Sequence, residues 1–346
     1  MISLLVVNYR SAALAVEAIR SARAASSVPL QVVVVENTVD EDEIRQLRSV
    51  ADEVIVPARN TGYAGGINLG RRSCSGDVII ACNPDVVFGV GAIDALAAAF
   101  SDRRVAVAGP ALYWDRGHRW ILPPADGHSF RDRVDQVLAS RSRAWFHWRD
   151  RRRFRDRVRF WSLTAQRSVP AISGAVMAMR AADFDAAGGF DERYDLYFEE
   201  TDYLRRVRGA GKRVVYVPGA RCRHLYNQSA GIERDHAGQR YAESEARFLE
   251  KWYGPRLART LQRFERPLPA AEAAQLSGPL EVREADVVVE ASPLPSFVTA
   301  AGHFAAPGLV ELPPEVRDSY RGDALYLRLV QRDTGRVLAA YAHRKR

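Results

Sequence analysis

Three uninterrupted apolar runs limit what this chain can fold into: "SLLVVN", "LQVVVVEN" and "DVIIACN". A strand buried on one face alternates apolar and polar residues. These runs do not alternate, so each is expected to be covered on both faces. Helical patterns lie between them. In "SAALAVEAIRSARAA" residues Leu14, Ala15, Ala18, Ile19 and Ala22 share one face, with Ser11 as N-cap. "EDEIRQLRSV" reads as a short helix, "EVIVPAR" as a third strand and "GINLGRRS" as another helix. "GAIDALAAAFSD" and "VAVAGPALY" continue the alternation as helix and strand. The pattern predicts an α/β fold, a Rossmann-like parallel sheet with helices on both faces.

The chain has 346 residues, enough to bury a large core without cross-links. Its three cysteines, Cys74, Cys82 and Cys222, lie far apart and form no CxxC pair. That argues against a disulfide framework or a structural zinc site and for a reducing compartment. "MISLLVVNYR" lacks the basic start of a signal peptide, and no window is apolar for the ~18 residues of a membrane span. A cytoplasmic protein is expected, peripheral at most at the inner face of the membrane. The net charge of +8 favours anionic partners without choosing among phosphates, anionic lipid and nucleic acid.

Periodicity fades over residues 115–168. Between Arg141 and Arg159 this segment holds nine arginines and two aspartates, interleaved with Trp145, Phe146, Trp148 and Phe154. It reads as a solvated basic helix with its aromatics packed inward, or as an amphipathic element at an anionic membrane surface. Residues 267–277 are linker-like. Residues 278–346 alternate with period two, and Asp333-Thr334-Gly335 marks a hairpin. The expected organisation is a main domain over 1–266 that includes the 115–168 insertion, a linker, and a small all-β, sandwich-like domain.

Chemistry in an open α/β sheet sits at the carboxyl ends of the strands. Four features fall there: Asn8-Tyr9, Glu36-Asn37, the glycine-rich "RNTGYAGGINLG" (Arg59 to Gly70), and Asn83-Pro84-Asp85. The glycine-rich stretch leads into a helix whose N-terminus favours a phosphate. It is not GxGxxG and carries no Walker lysine, which disfavours a dinucleotide fold and a P-loop. Asp85 is either a turn residue or a ligand to a cation that bridges a diphosphate. Farther on, Glu199, Glu200 and Asp202 cluster in "LYFEETDYLRR". They read as acids of a helix's first turn or as a general base in partly apolar surroundings. His224 follows a strand as a surface residue or a metal ligand.

Taken in order, "VVNYRS", "VVEN", "NTGYAGGINLG", "CNPDV", "SGAVMAMR", "GGFDERYDLYFEETDYLRR" and "YVPGARCRH" resemble family 2 glycosyltransferases of the GT-A fold, in their rhamnosyltransferase-like branch. The resemblance covers roughly residues 1–255. It implies inverting transfer of a sugar from a dTDP- or UDP-sugar donor, with dTDP-L-rhamnose as one candidate. The acceptor implied is a hydroxyl of a bacterial glycan or lipid-linked glycan of the cell envelope. On that pattern Asn8, Tyr9, Glu36 and Asn37 surround the base and ribose. Asn60, Gly62, Ala64, Gly65 and Asn68 line the nucleotide and diphosphate, with Asn83 beside them. Ser173, Gly174 and Ala175 border the donor sugar. Asp85 and His224 hold a divalent cation, Mg²⁺ or Mn²⁺. Glu200 matches the usual base, with Glu199 as the alternative. Asn83 stands where the family's first metal-side acid is found, and Glu36 where Asp is more usual. Nucleic acid is not an expected partner, and peripheral contact with anionic membrane is. A sugar nucleotidyltransferase and a non-catalytic sugar-binding protein are the competing readings.

Overall fold

The computed structural model describes residues 1–225, 234–319 and 324–344. Its first half runs β1 (Ile2–Asn8), α1 (Ala12–Ala24), β2 (Leu30–Glu36), α2 (Glu41–Arg48), β3 (Glu53–Ile55), α3 (Gly62–Arg71), β4 (Val78–Cys82), β5 (Val86–Phe88), α4 (Ala92–Ala98) and β6 (Val105–Tyr113). The insertion supplies α5 (Phe130–Arg141) and α6 (Arg143–Trp161). Then come β7 (Arg167–Ser168), β8 (Val176–Arg180), α7 (Ala181–Ala186), α8 (Glu199–Gly209), β9 (Arg213–His224), α9 (Arg234–Tyr253) and α10 (Pro255–Phe264).

The main sheet has the order β3-β2-β1-β4-β8-β6-β9-β5, with β7 beside β9. The apolar runs do divide between two cores. Leu4, Val6, Val32, Val34 and Ile80 enter one, and Leu5, Val7, Val33, Val35 and Ile79 enter the other. The α3 helix lies tight on this sheet: a Cβ on Gly66 would sit 2.8 Å from Val7, and one on Gly70 2.3 Å from Leu5. Those two glycines therefore serve packing. Ser11 does occupy the N-cap of α1, but its side chain makes no cap hydrogen bond. Its hydroxyl donates instead to Asn8 Oδ1 at 2.8 Å.

The sheet is not wholly parallel as expected. β8 runs antiparallel to both β4 and β6, and β5 runs antiparallel to β9. This has a direct consequence for the site. An antiparallel strand brings its amino end to the edge where its neighbour's carboxyl end lies. Residues 173–175, just before β8, thus reach the tip of β4, and Asp85, just before β5, meets the end of β9.

The C-terminal part contains β10 (Ala274–Gln275), β11 (Leu280–Val282), β12 (Val287–Ser292), β13 (Ala301–Ala305), β14 (Gly308–Val310), a short helix α11 (Pro314–Ser319), β15 (Ala324–Gln331) and β16 (Val337–Arg344). They form a five-stranded sheet, β10-β16-β15-β12-β13, and a β11–β14 pair. β10 comes from the stretch expected as a linker, which is therefore partly edge strand.

The insertion is helical where periodicity failed, and it is split between two environments. One side of α6 packs on the C-terminal sheet. A Cβ on Gly302 would lie 2.3 Å from the Trp161 ring. Buried Arg157 pairs with Glu290 at 2.6 Å, Arg328 pairs with Glu290 at 2.6 Å, and Arg328 meets Asp150 at 2.7 and 2.9 Å. The solvated-helix reading fails on this side, because Arg149 and Arg157 are buried. These two arginines disrupt a simple amphipathic pattern because their partners and neighbours come from distant parts of the chain.

Candidate active site

Parallel pairing places Asn8 and Glu36 side by side at the ends of β1 and β2. Asn8 Nδ2 donates to Glu36 Oε2 and, at 2.6 Å, to Glu43 Oε2. Glu36 Oε1 accepts from the Thr38 amide. Asn37 ties this edge to α3: its Nδ2 donates to the Gly62 carbonyl at 3.1 Å, and its Oδ1 accepts from the Thr61 amide and hydroxyl. Asn60 Oδ1 accepts from the Gly62 amide at 2.8 Å, and Gly62 has a left-handed φ of +69°. Only glycine takes that conformation without strain. Tyr9 follows β1 with the Arg10 guanidinium over its ring. Ala64 and Gly65 are buried in α3. The Asn68 amide is engaged by the Phe190 backbone on both its atoms and by Glu192, which braces the loop ahead of α8.

At the end of β4 the Asn83 amide donates to the Ala175 carbonyl at 2.9 Å. Asp85 is 3% exposed, and its Oδ1 lies 3.4 Å from His224 Nε2. Val86 and His224 are register partners of β5 and β9. A carboxylate oxygen and an imidazole nitrogen converge here, a donor pair compatible with a hard divalent cation that takes its remaining ligands from phosphate and water. Among the described residues no group of three or more His, Cys, Asp or Glu side chains comes together as a closed metal cage.

Glu199 and Glu200 open α8. Glu199 is 4% exposed and Glu200 half-buried. Burial raises the pKa of both, that of Glu199 well above the ordinary carboxylate range with the Glu200 charge adding to it. Oε2 of each has no hydrogen-bond partner among the described residues. Glu200 lies directly against Gly174: a Cβ there would be 3.3 Å from Glu200 Cγ and 3.4 Å from its carboxyl carbon. Asp202, third of the acidic cluster, has a different job. Fully buried, it meets Arg206 at 2.8 Å, Lys251 at 2.8 Å and the Trp252 indole at 2.8 Å, tying α8 to α9.

The residues before α8 are strained. Tyr197 and Phe198 are consecutive non-glycine residues with φ of +67° and +69°. Such backbone costs about 1–2 kcal/mol per residue and persists where packing enforces it. The Phe198 ring is held by His128 at 4.6 Å, Tyr241 at 5.2 Å and Phe248 at 5.3 Å. Tyr63 completes the wall. Its hydroxyl donates to the Gly174 carbonyl at 3.2 Å, and burial together with the Glu199 and Glu200 charges pushes its pKa well up. Sequence reasoning missed Tyr63, although it stands inside the quoted glycine-rich stretch. It also missed Glu43 and Phe198, whose aim depends on α2 and on an aromatic cage that no local pattern announces.

Residues 1–240 match the family described as glycosyltransferase like family 2. The chain belongs to that family. Its large mixed α/β sheet has the GT-A architecture, and a smaller part with a five-stranded sheet and one short helix is appended. Two curated relatives, from Mycobacterium tuberculosis strains CDC 1551 / Oshkosh and ATCC 25618 / H37Rv, are named N-acetylglucosaminyl-diphospho-decaprenol L-rhamnosyltransferase. Each is 30% identical over 203 residues, 55% of this chain and 63% of the relative. The chain thus spans less than two thirds of their length. Among solved structures, a mannosyltransferase from Pyrobaculum calidifontis in complex with GDP-Man and Mn²⁺ aligns at 16% identity and a TM-score of 0.44, covering 76% of this chain and 73% of that one. S. aureus TarS (1–349) aligns at 14% identity and a TM-score of 0.42, covering 73% and 72%.

Proposed function

We propose that the chain is an inverting glycosyltransferase that moves a sugar, L-rhamnose from dTDP-L-rhamnose in the leading form, to a hydroxyl of a lipid-linked bacterial glycan. The observation that carries the reading is the junction at residues 173–175. On one side the Asn83-Pro84-Asp85 turn is bonded to Ala175, and on the other Glu200 rests on Gly174. Two carboxylates therefore flank one short peptide, as direct displacement at an anomeric carbon requires. One takes the proton of the attacking hydroxyl, and the other lies where charge grows on the leaving diphosphate.

Glu200 is the base. Glu199, more deeply buried, is the costlier of the two to ionise, so the negative charge of the pair falls on Glu200. Asn8, Tyr9, Glu36 and Asn37 face the base and ribose, while Asn60, Gly62, Ala64 and Gly65 present the start of α3 to the diphosphate. Asp85 and His224 would hold a Mg²⁺ or Mn²⁺ ion, which when bound offsets the leaving-group charge. Ser173 borders the sugar. Residues 1–266 form the transferase domain and 278–346 the accessory domain, and the protein works at the cytoplasmic face of the membrane that carries its acceptor. The names of the relatives support the sugar and the acceptor class.

The test is incubation with a panel of dTDP- and UDP-sugars, with and without EDTA, and chromatography of the nucleotides. Release of nucleoside diphosphate that EDTA suppresses supports the reading. Release of pyrophosphate from nucleoside triphosphate and sugar phosphate would identify a nucleotidyltransferase. Binding without any turnover would identify a sugar-binding protein.

A further inference from the structure

Three helix ends meet at one corner of the molecule. Arg141, ending α5, extends Nη1 to the Phe264 carbonyl at the end of α10 (3.3 Å), and its guanidinium lies over the Phe264 ring at 5.7 Å. The Arg266 amide donates to Ser140 Oγ at 3.1 Å. Ser142 caps the start of α6 by accepting from the Trp145 amide, and the Trp145 and Trp148 rings lie 5.1 Å apart. Leu138, Trp145, Trp148 and Phe264 are all exposed here, Trp148 at 45% and Phe264 at 48%. Exposed apolar side chains scattered singly need no explanation, but four at one corner do.

The charge around them has one sign. Arg141, Arg143, Arg263 and Arg266 are exposed beside these rings. The nearby carboxylates are committed inward: Asp135 to Arg152, Asp150 to Arg328, and Glu265 to Arg133 and Gln136. Indole rings ringed by guanidiniums on long apolar stems match the headgroup layer of a bilayer, where the ring sinks and the charge stays at the phosphates.

We propose that this corner docks the protein on an anionic membrane surface, with Trp145, Trp148 and Phe264 inserted and the arginines on lipid phosphates. Among the described residues no helix is long and apolar enough to cross a membrane; the contact proposed is one of exposed side chains with the surface. The placement also fits the site. α5 has twelve residues and so runs about 18 Å from Ser129, its N-cap, to the corner. Ser129 follows His128, whose ring lies tilted against Phe198 at 4.6 Å, immediately before the Glu199–Glu200 pair. The docked corner and the loop that carries the candidate base are therefore joined through a single helix, α5.

The inference goes beyond the transferase reading, because vesicle binding and sugar transfer are measured separately. The full chain is sedimented with phosphatidylglycerol-containing vesicles and with pure phosphatidylcholine vesicles, at low and high salt, while tryptophan emission is followed. Retention on anionic vesicles, weakened by salt and accompanied by a blue shift, is expected. Trp145→Ala/Trp148→Ala should cut partitioning about tenfold or more and abolish the shift, with the melting temperature and nucleotide affinity unchanged. Arg141→Glu/Arg143→Glu is the second variant, should the first fold poorly, and should weaken binding by at least about tenfold. No retention on anionic vesicles, or retention that neither variant changes, would overturn the proposal. So would a dimer that both variants convert to monomer without any vesicle binding, since a second copy would then be the occupant.

Discussion

Two of the places where this molecule buries acidic side chains do so to opposite ends. Between α6 and the C-terminal sheet, Glu290 and Asp150 meet the guanidiniums of Arg157 and Arg328 at 2.6–2.9 Å. At the start of α8, Glu199 and Glu200 are buried beside each other, and neither enters an ion pair among the described residues. Compensated burial makes a joint, because removing either partner leaves a stranded charge. Uncompensated burial makes a proton acceptor, because raising a carboxyl's pKa is what gives it basicity near neutral pH.

The contrast can be broken most sharply at Glu200. Glu200→Gln should slow turnover about 100- to 10,000-fold with nucleotide affinity unchanged. A variant that keeps most of its activity would remove Glu200 from the base role. Glu290→Gln should do the reverse. It leaves Arg157 without its ion-pair partner while Arg328 keeps Asp150, costs about 3–5 kcal/mol of stability, and leaves specific activity intact in the folded fraction. An unchanged melting temperature would mean that these ion pairs do not stabilise the joint.

Gly174→Ala probes the contact between the donor-side loop and the base. The added methyl crowds Glu200, so turnover should fall severalfold while stability changes by about 1 kcal/mol or less; equal loss in both would make the glycine structural. The smallest effect is at Glu199. Its folded pKa is raised, so the native state holds a proton that the unfolded chain releases. Stability then falls as pH climbs from the ordinary carboxylate value through the raised one. Glu199→Gln escapes that loss. Its gain in melting temperature should be larger at pH 8 than at pH 5, by the equivalent of about 1 kcal/mol, and a gain independent of pH would contradict the raised pKa.

The apolar runs of β1, β2 and β4 were legible because burial on both faces leaves an unmistakable string of branched residues. The antiparallel direction of β8 was not, since periodicity carries no information on strand order or sense. The residues alone did not distinguish the first-turn acids of α8; only the family resemblance singled out Glu200, with Glu199 as the alternative. Packing separates them, with Asp202 taken by Arg206, Lys251 and Trp252 and the two glutamates left beside Gly174. The arginine-rich helix was half readable. Its aromatic and basic composition pointed to the exposed corner, but the burial of Arg157 depends on Glu290, far along the chain and itself inside an apolar strand.

The Trp161–Gly302 contact bears on how such a protein could be dissected. The indole fills the space that any side chain on Gly302 would need. The residues of one continuous core also come from both parts, Leu122 from the first and Leu280 and Val289 from the second. The appended sheet is thus no detachable cassette. A chain cut after residue 266 would present Trp161, Phe154 and an orphaned Arg157 to water, and a foreign C-terminal module grafted there would have to reproduce a bare α-carbon facing that ring and an acid facing that guanidinium. Exchange among relatives should therefore succeed only when α6 travels with its sheet.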